Sequence, residues 1–296
     1  MIDDYLKAGK IASDALKKSF DIVYEGKKVL EICEELEEFI IKQGGFPAFP
    51  VNISQNEEAA HYTAKFEDDK TIKKGAIVKV DLGVHVNGYI ADTAITITFS
   101  SLDTSMVKAN HETLESALKI VRPGLEFYEF GSYVEKSAKG YGFKTIENLM
   151  GHKLDHFVLH SGVSVPMISS PVKGRFERNN AYAIEPFFVE SDAIGFVIDG
   201  EHSNIYRLVS PRKLKGDENS NQLVSYIWEK YKTLPFAARW IAKEFGADSL
   251  QALNKLVKDG VLEDYHVLVE AGGARVSQFE HTVYLTENET LVTTKF

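Results

Sequence analysis

Residues 77–99, IVKVDLGVHVNGYIADTAITITF, contain two alternating apolar runs separated by Asn87 and Gly88. An Asn-Gly pair between such runs predicts a β-hairpin, because both residues tolerate the positive φ angles of a type I′ turn. Folding about this turn places Asp81 and Asp92 on one sheet face, opposite or diagonal to each other and roughly 5 to 8 Å apart. Two carboxylates at that distance repel unless one is protonated or both bind metal. The alternative interpretation of this segment is an exposed polar hairpin face.

The chain also contains an internal repeat. VYEGKKVLEICEELEEFIIKQGG (residues 23–45) aligns without a gap with VRPGLEFYEFGSYVEKSAKGYGF (residues 121–143), and each copy predicts an amphipathic helix closed by glycine. Two further alignments pair residues 71–81 with 175–185 and residues 91–97 with 279–285. Asp81 then falls on Glu185, and Asp92 falls on Glu280. Two packed halves would place four carboxylates around a pseudo-twofold axis, and with one imidazole these are the ligands that two divalent cations require.

Composition indicates a compact intracellular enzyme. With 296 residues, 44% hydrophobic and 26% charged, the chain can bury a large core in one or two domains. The single cysteine, Cys33, lies in a helical pattern, so we expect a packing residue in a reducing compartment and no disulfide framework. Charges interrupt every apolar run, which excludes a secretory signal and a membrane span. The net charge of −9 argues against extensive nucleic-acid binding.

Four histidines are candidates for the site. His152, His156 and His160 recur at intervals of four in GHKLDHFVLHSG, which on a helix would place them on one face and suggest zinc. The segment lacks an HExxH pattern, and its flanking glycines favour extended chain or loop. His61 follows a polar segment, where a structural role is the alternative to a catalytic one.

Five segments together resemble one family of enzymes in sequence and in spacing: AFPVNISQNEEAAHYTA, VDLGVHVNGYIADTAITITF, NLMGHKLDHFVLHSG, YAIEPF and SQFEHTVYL. The family is the type II methionine aminopeptidases, and the start of the chain, without a charged N-terminal extension, resembles archaeal members. The resemblance implies an α+β, duplicated pita-bread metallopeptidase fold with a pseudo-twofold axis. It also implies removal of the initiator methionine from nascent proteins and peptides when the second residue is small.

The resemblance further implies a dinuclear metal centre with five ligands. Asp81 would chelate one divalent cation, His152 and Glu185 would complete the other, and Asp92 and Glu280 would bridge both. Co, Mn, Fe or Zn would suit these ligand types. A water held by two cations has its pKa lowered toward about 7, and Glu185 would accept its proton.

Further residues match positions around the family's substrate. His61 and His160 match the two histidines that contact the scissile amide and carbonyl, so His61 is expected to donate toward the leaving nitrogen and His160 to hold the developing oxyanion. Phe49, Pro50 and Ile53 fall where the family lines its methionine pocket. His156 matches no ligand, so we expect a structural role for it.

An insertion precedes the last of these segments. TLPFAARWIAKEFG and DSLQALNKLVKDGVLEDY predict two amphipathic helices, the second capped by Asp248 or Ser249 and ended by Gly260. Residues 207–264 contain ten Lys or Arg and eight Asp or Glu. We interpret residues 1–296 as one catalytic domain and residues 207–264 as an inserted helical, winged-helix-like subdomain, which forms a lid in preference to a nucleic-acid site. Apolar residues should close it on the main body, namely Leu234, Phe236, Trp240, Leu253 and Leu256.

Two other functions stay open beside the one that the family resemblance implies. A proline dipeptidase or Xaa-Pro aminopeptidase of the same fold would share the five ligands. A non-catalytic RNA- or protein-binding relative would have lost ligands, and none is missing here. The expected partners are nascent polypeptide N-termini, at the ribosome, with no membrane contact, and the expected state is a cytoplasmic monomer.

Overall fold

The computed structural model describes residues 1–212, 214–215 and 217–295. Its first half consists of α1 (Ile2–Ile22), α2 (Val29–Lys42), β1 (Phe46–Gln55), β2 (Glu58–Ala60), β3 (Ile77–Val86) and β4 (Tyr89–Thr98). The second half begins with a 3₁₀ turn (Ser101–Asp103), α3 (Thr104–Leu118), α4 (Phe127–Gly140), β5 (Phe143–Thr145), β6 (Met150–Leu154), β7 (Ser164–Pro166), β8 (Asn180–Ile184) and β9 (Phe187–Glu190). It continues with β10 (Val197–Leu208), α5 (Glu218–Tyr231), β11 (Phe236–Ala237), α6 (Ala238–Phe245), α7 (Ser249–Lys258), β12 (Leu262–Glu270), β13 (Ser277–Gln278), β14 (His281–Leu285) and β15 (Thr290–Val292). This mixture of helices and antiparallel strands confirms the α+β class.

The predicted hairpin is present as β3 and β4. Asn87 and Gly88 form its turn with φ angles of 51° and 85°, as a type I′ turn requires. In the antiparallel register, Asp92 lies opposite Gly83, two positions from Asp81. The two aspartates are therefore diagonal neighbours on one face of a sheet whose strand order is β1-β3-β4.

The internal repeat is a structural repeat. Helices α2 and α4 begin and end at aligned residues of the two copies. Gly26 and Gly124 precede them with φ angles of 86° and 87°. The two glycine N–H groups donate to equivalent carbonyls, those of Ile72 and Phe176, each at 2.8 Å. Aligned residues therefore make the same contacts in both halves, so the halves share one local architecture.

The two halves meet edge to edge along β4 and β14. The backbone N–H of Glu280 donates to the carbonyl of Ala94 at 3.0 Å, and the N–H of Asp92 donates to Oγ1 of Thr282 at 2.7 Å. The repeat alignment sets Asp92 on Glu280 and Ala94 on Thr282, so the two contacts join equivalent residue pairs, although the Thr282 hydroxyl takes the place of a backbone carbonyl in one of them. Strand β14 continues the second sheet, whose order is β15-β14-β8-β6-β7. The predicted pseudo-twofold axis therefore passes between two of the acidic residues.

Helices α1 and α2 cover the first sheet, and the main hydrophobic core includes residues from both halves. Its members include Leu16, Ile32, Val80, Phe130 and Tyr182. Cys33 is fully buried on α2 within this core, as expected of a packing residue. Among the described helices, none is long and apolar enough to cross a membrane.

The segment between β10 and β12 has its own hydrophobic cluster. The sequence predicts α6 and α7 correctly, but it does not predict α5, which supplies Leu223, Val224 and Ile227 to that cluster. Phe236, Leu253 and Leu256 pack inside the same cluster, which also includes Tyr206 on β10, so they pack the insertion onto the strands that carry it. An amphipathic helix can bury its apolar face against the neighbouring helix of its own insertion as readily as against the catalytic body.

Other residues attach the insertion to the main body. Leu234 packs with Tyr5 and Phe49. The fully buried guanidinium of Arg239 forms an ion pair with Glu37 on α2, and Nε1 of Trp240 donates to the same carboxylate at 2.8 Å. A buried ion pair and a hydrogen bond from the Trp240 indole therefore fix α6 against the first half of the chain.

Candidate metal centre and active site

A cavity of about 300 Å³ lies where the two halves meet. All seven ionisable residues that the sequence proposes for the site line this cavity: His61, Asp81, Asp92, His152, His160, Glu185 and Glu280. No Lys or Arg is among the described residues that line it. The fold thus brings together residues that lie nearly two hundred positions apart in the sequence, because the repeat places equivalent strand positions around one axis.

The strands fix the four carboxylates. Asp81 and Asp92 lie within β3 and β4, while Glu185 directly follows β8 and Glu280 directly precedes β14. Strands β8 and β14 pair antiparallel, with Ile184 opposite His281, so the two glutamates lie at the same end of that ladder. An isolated bridge between Ala94 on β4 and Glu280 then brings this end beside Asp92.

His152 supplies the imidazole of the cluster from β6. Its Nε2 lies 3.6 Å from Oδ2 of Asp92 and 3.4 Å from Oε1 of Glu185. One ligand atom each from Asp92, His152 and Glu280 lie within 4.8 Å of one another. Nitrogen and oxygen ligands bind transition metals at about 2.0 to 2.2 Å, so atoms spaced in this way can surround one cation.

Electrostatics in the cavity favour a bound cation. Burial raises the pKa of Asp81 to about 7. Burial, and then the charge of Asp81, raise the pKa of Asp92, while burial and then the charge of Asp92 raise those of Glu185 and Glu280. One oxygen on each of Asp81, Asp92 and Glu280 is buried without a hydrogen-bond partner among the described residues. Buried acids with free lone pairs are compensated by positive charge, and a cation would supply it.

Gln278 is a site residue that the sequence analysis missed. Its Nε2 donates to Oδ2 of Asp81 at 3.2 Å and lies 3.5 Å from Oε2 of Glu280. Thr96 anchors the backbone beneath it, since the N–H of Gln278 donates to Oγ1 of Thr96 at 2.8 Å. The available signal was its position two residues before Glu280, because extended chain places such residues on one side.

His61 and His160 lie on the cavity wall without contacting the carboxylates. His61 follows β2 with a φ of 67°, and its Nδ1 lies 3.2 Å from the carbonyl oxygen of His266. The ring of His160 lies 4.2 Å from the ring of His152. Burial lowers the pKa of His61, and burial followed by the charge of His61 lowers that of His160 to about 4. Both rings are therefore neutral at physiological pH.

Of the three residues expected in the methionine pocket, only Phe49 lines the described cavity. Ile53 is fully buried in the main core, and Pro50 lies outside the lining, so their placement in the pocket is not supported. The reason is a β-bulge: Phe49 pairs with Gly83 and Asn52 with Asp81, so three steps along β1 match two along β3. The bulge changes the phase of the strand and turns Asn52 toward the cavity.

His156 lies outside the site, as the sequence analysis expects. It follows β6 in a loop, and its Nε2 lies 2.9 Å from the carbonyl oxygen of Asn87 in the hairpin turn. The interval of four between the three histidines therefore does not reflect a helix. His152 lies in a strand and His160 in the loop beyond it.

The metallopeptidase family M24 model matches residues 3–287 of the chain. The chain belongs to metallopeptidase family M24. It is 40% identical over 299 aligned positions to a methionine aminopeptidase of Methanothermobacter thermautotrophicus, covering 100% of this chain and 99% of that protein. This confirms the resemblance read from the five segments.

Two solved structures show the same fold at low sequence identity. A methionine aminopeptidase from Thermotoga maritima has a TM-score of 0.71 and 23% identity, covering 100% of this chain and 96% of that one. A prolidase from Pyrococcus furiosus has a TM-score of 0.62 and 18% identity, covering 100% of this chain but 64% of that one. The fold is thus common to both kinds of peptidase, and sequence similarity carries the distinction between them.

Proposed function

We propose that the chain removes the N-terminal methionine from nascent proteins and peptides whose second residue is small. The observation that carries this proposal is the convergence of four carboxylates and His152 on one cavity, in a chain similar along its whole length to a methionine aminopeptidase. A prolidase has the same fold, but the similarity to it covers only 64% of its chain.

The site residues fit two divalent cations. The acids offer oxygen ligands with free buried lone pairs, and His152 offers a neutral imidazole whose pKa is held low by burial. Asp81 would hold one cation, His152 and Glu185 the other, and Asp92 and Glu280 both. When bound, the cations supply Lewis-acid polarisation of the scissile carbonyl and lower the pKa of the attacking water. Mn, Fe, Co and Zn suit this ligand set.

The chain's own residues then manage protons and orient the substrate. Glu185 would accept a proton from the attacking water. The geometry changes the expected role of His61. Its Nδ1 faces a carbonyl oxygen and therefore carries the proton of the neutral ring. The other ring nitrogen, Nε2, is then a hydrogen-bond acceptor. His61 would first accept the N–H of the scissile amide, and would donate to the leaving nitrogen only after gaining a proton. His160 would stabilise charge that develops on the carbonyl oxygen.

The apolar part of the cavity would take the methionine side chain. Phe49, Leu159 and Leu268 line it, together with Pro235 at the base of the insertion. We propose that residues 207–264 form an inserted lid on one catalytic domain, because Pro235 lies on the cavity wall and the Arg239–Glu37 ion pair fixes the adjoining helix. The ends of this inserted segment overlap β10 and β12, so its helices lie between these two strands in the sequence. We further propose a cytoplasmic monomer that acts on nascent chains at the ribosome.

Peptide assays test the proposal directly. Metal-stripped protein, reconstituted separately with Mn²⁺, Fe²⁺, Co²⁺ or Zn²⁺, should release methionine from Met-Ala-Ser and leave Ala-Pro peptides intact. Asp92→Asn should lose both metal and activity, while the exposed Asp3→Asn serves as the matched control. Preferential cleavage of Ala-Pro peptides would move the chain to the proline-specific peptidases. Wild-type turnover by the reconstituted Asp92→Asn variant would contradict the dimetal assignment.

A further inference from the structure

A second cluster of metal-binding side chains lies on the ladder between β10 and β12. His202 and His266 are directly opposite each other in this antiparallel pair, and Asp264 is two residues from His266 on the same strand. One ligand atom from each of the three residues lies within 4.8 Å of the others. None of the three is among the residues that line the catalytic cavity. We propose that His202, Asp264 and His266 form a surface site for Zn²⁺.

The strand geometry explains why the three side chains converge. Residues two apart on a strand point to one face, and opposed residues on neighbouring strands lie about 4.5 to 5.5 Å apart at Cβ. The two imidazole rings are 4.6 Å apart between centroids. Two histidines and one carboxylate are a common zinc-binding set, with solvent in the fourth position.

Hydrogen bonds already orient the ligands. Nδ1 of His266 lies 3.0 Å from the carbonyl oxygen of Gly200, so this nitrogen carries the proton and Nε2 has the free lone pair. Metal-binding histidines commonly have their second nitrogen bonded in this way, which fixes the tautomer. Nδ1 of His202 lies 2.7 Å from Oδ2 of Asp264. Binding of Zn²⁺ would displace the proton shared by this pair and release it to solvent.

The position of the site suggests what the metal does. The β10–β12 register is irregular on both sides of His202, and Asn204 within it has a φ of 62°. A metal there would cross-link the two strands where the ladder bonds are interrupted. On β12, Tyr265 lines the catalytic cavity and the carbonyl of His266 contacts His61. Occupancy would therefore steady the cavity rim without contacting substrate.

Zinc stoichiometry provides the first test. Equilibrium dialysis against Zn²⁺, followed by elemental analysis, should show one equivalent less zinc in His202→Ala and in His266→Ala than in wild type. His111→Ala is the matched control, since His111 is an exposed histidine outside the cluster. The chain's only cysteine is buried, so no surface thiolate competes for the metal. Equal zinc content in all four proteins would overturn the site. Should either alanine variant fail to fold by circular dichroism, Asp264→Asn replaces it.

Hydrogen exchange tests the cross-link. Added Zn²⁺ should slow amide exchange in residues 262–270 of wild type and of His111→Ala, and should leave it unchanged in His202→Ala. The Asp92→Asn background should give the same pattern, because the proposed site is separate from the catalytic ligands. Slowing of equal size in His202→Ala would assign the effect to the catalytic cavity and refute the surface site.

Discussion

Asp81→Asn should stabilise the metal-free protein while abolishing metal binding. In the metal-free state Asp81 shares a buried cavity with three other acids, and burial raises its pKa to about 7. Asparagine keeps a similar shape and one oxygen that can accept the Gln278 amide bond. It cannot ionise, so the variant avoids the cost of burying a charge. The same change removes a ligand, so the metal-loaded enzyme should be lost.

The expected size follows from linkage. An acid whose folded-state pKa exceeds its unfolded value loses stability as pH rises through the interval between the two. Here the interval runs from the ordinary 3.8 to about 7, with Asp81 protonated in the folded state and ionised in the unfolded state. Each pKa unit of this interval corresponds to about 1.4 kcal/mol. The free energy of unfolding of the metal-free wild type should therefore fall by roughly 4 kcal/mol by pH 7 and by little more above it. Asp81→Asn should lack this loss.

Urea unfolding of metal-free protein at pH 5, 7 and 8 measures the effect. The stability advantage of Asp81→Asn should grow from about 2 kcal/mol at pH 5 to about 4 kcal/mol at pH 7 and then level off. Asp3→Asn, on the exposed start of α1, should match wild type throughout. Added Mn²⁺ should stabilise wild type more than Asp81→Asn. A variant less stable than wild type at pH 8, or a difference independent of pH, would refute the electrostatic reasoning.

Three other predictions address catalysis, attachment of the insertion and substrate choice. Alanine at His61 or at His160 should lower turnover by a factor of roughly 10² or more while leaving the metal content intact. Loss of metal in either variant would show that this histidine is a metal ligand. Glu37→Ala should lower the free energy of unfolding by about 3 to 5 kcal/mol in urea titrations, because it leaves the Arg239 guanidinium buried without its counter-charge; a cost below 1 kcal/mol would contradict this. Intact-mass analysis of protein made in a native-like host should find the initiator methionine retained before the β-branched Ile2 and removed in Ile2→Ala, and the reverse result would contradict the small-residue rule.

The repeat and the hairpin could be predicted because both depend on local signals. Asn87-Gly88 selects its turn through backbone conformations open to those two residues, whatever surrounds them. Gly26 and Gly124 mark equivalent helix starts for the same reason. Pairing of acids between repeats then locates the ligands, because equivalent positions in two halves must face a common axis.

Other features depend on contacts between distant segments. The bulge between Phe49 and Asn52 is defined by the pairing of β1 with β3. No local sequence pattern predicts the change in side-chain alternation by which Ile53 faces the core. The helix α5 is defined by burial against α6 and α7, since its polar sequence has a weak apolar period. The surface cluster of His202 and His266 likewise arises from the register in which β10 pairs with β12.

The sequence by itself therefore determined the repeat, the hairpin and the four acids around the cavity, because turn conformation and repeat symmetry are encoded in short segments. Its resemblance to a known family indicated the α+β class and the histidine that joins the acids. Tertiary structure alone decided that Gln278 orients Asp81, that Ile53 lies in the core and not on the cavity wall, and that the His61 ring nitrogen beside His266 carries its proton. These outcomes depend on strand register and on the atom that faces each polar group, and a shift of one residue in pairing would change all of them.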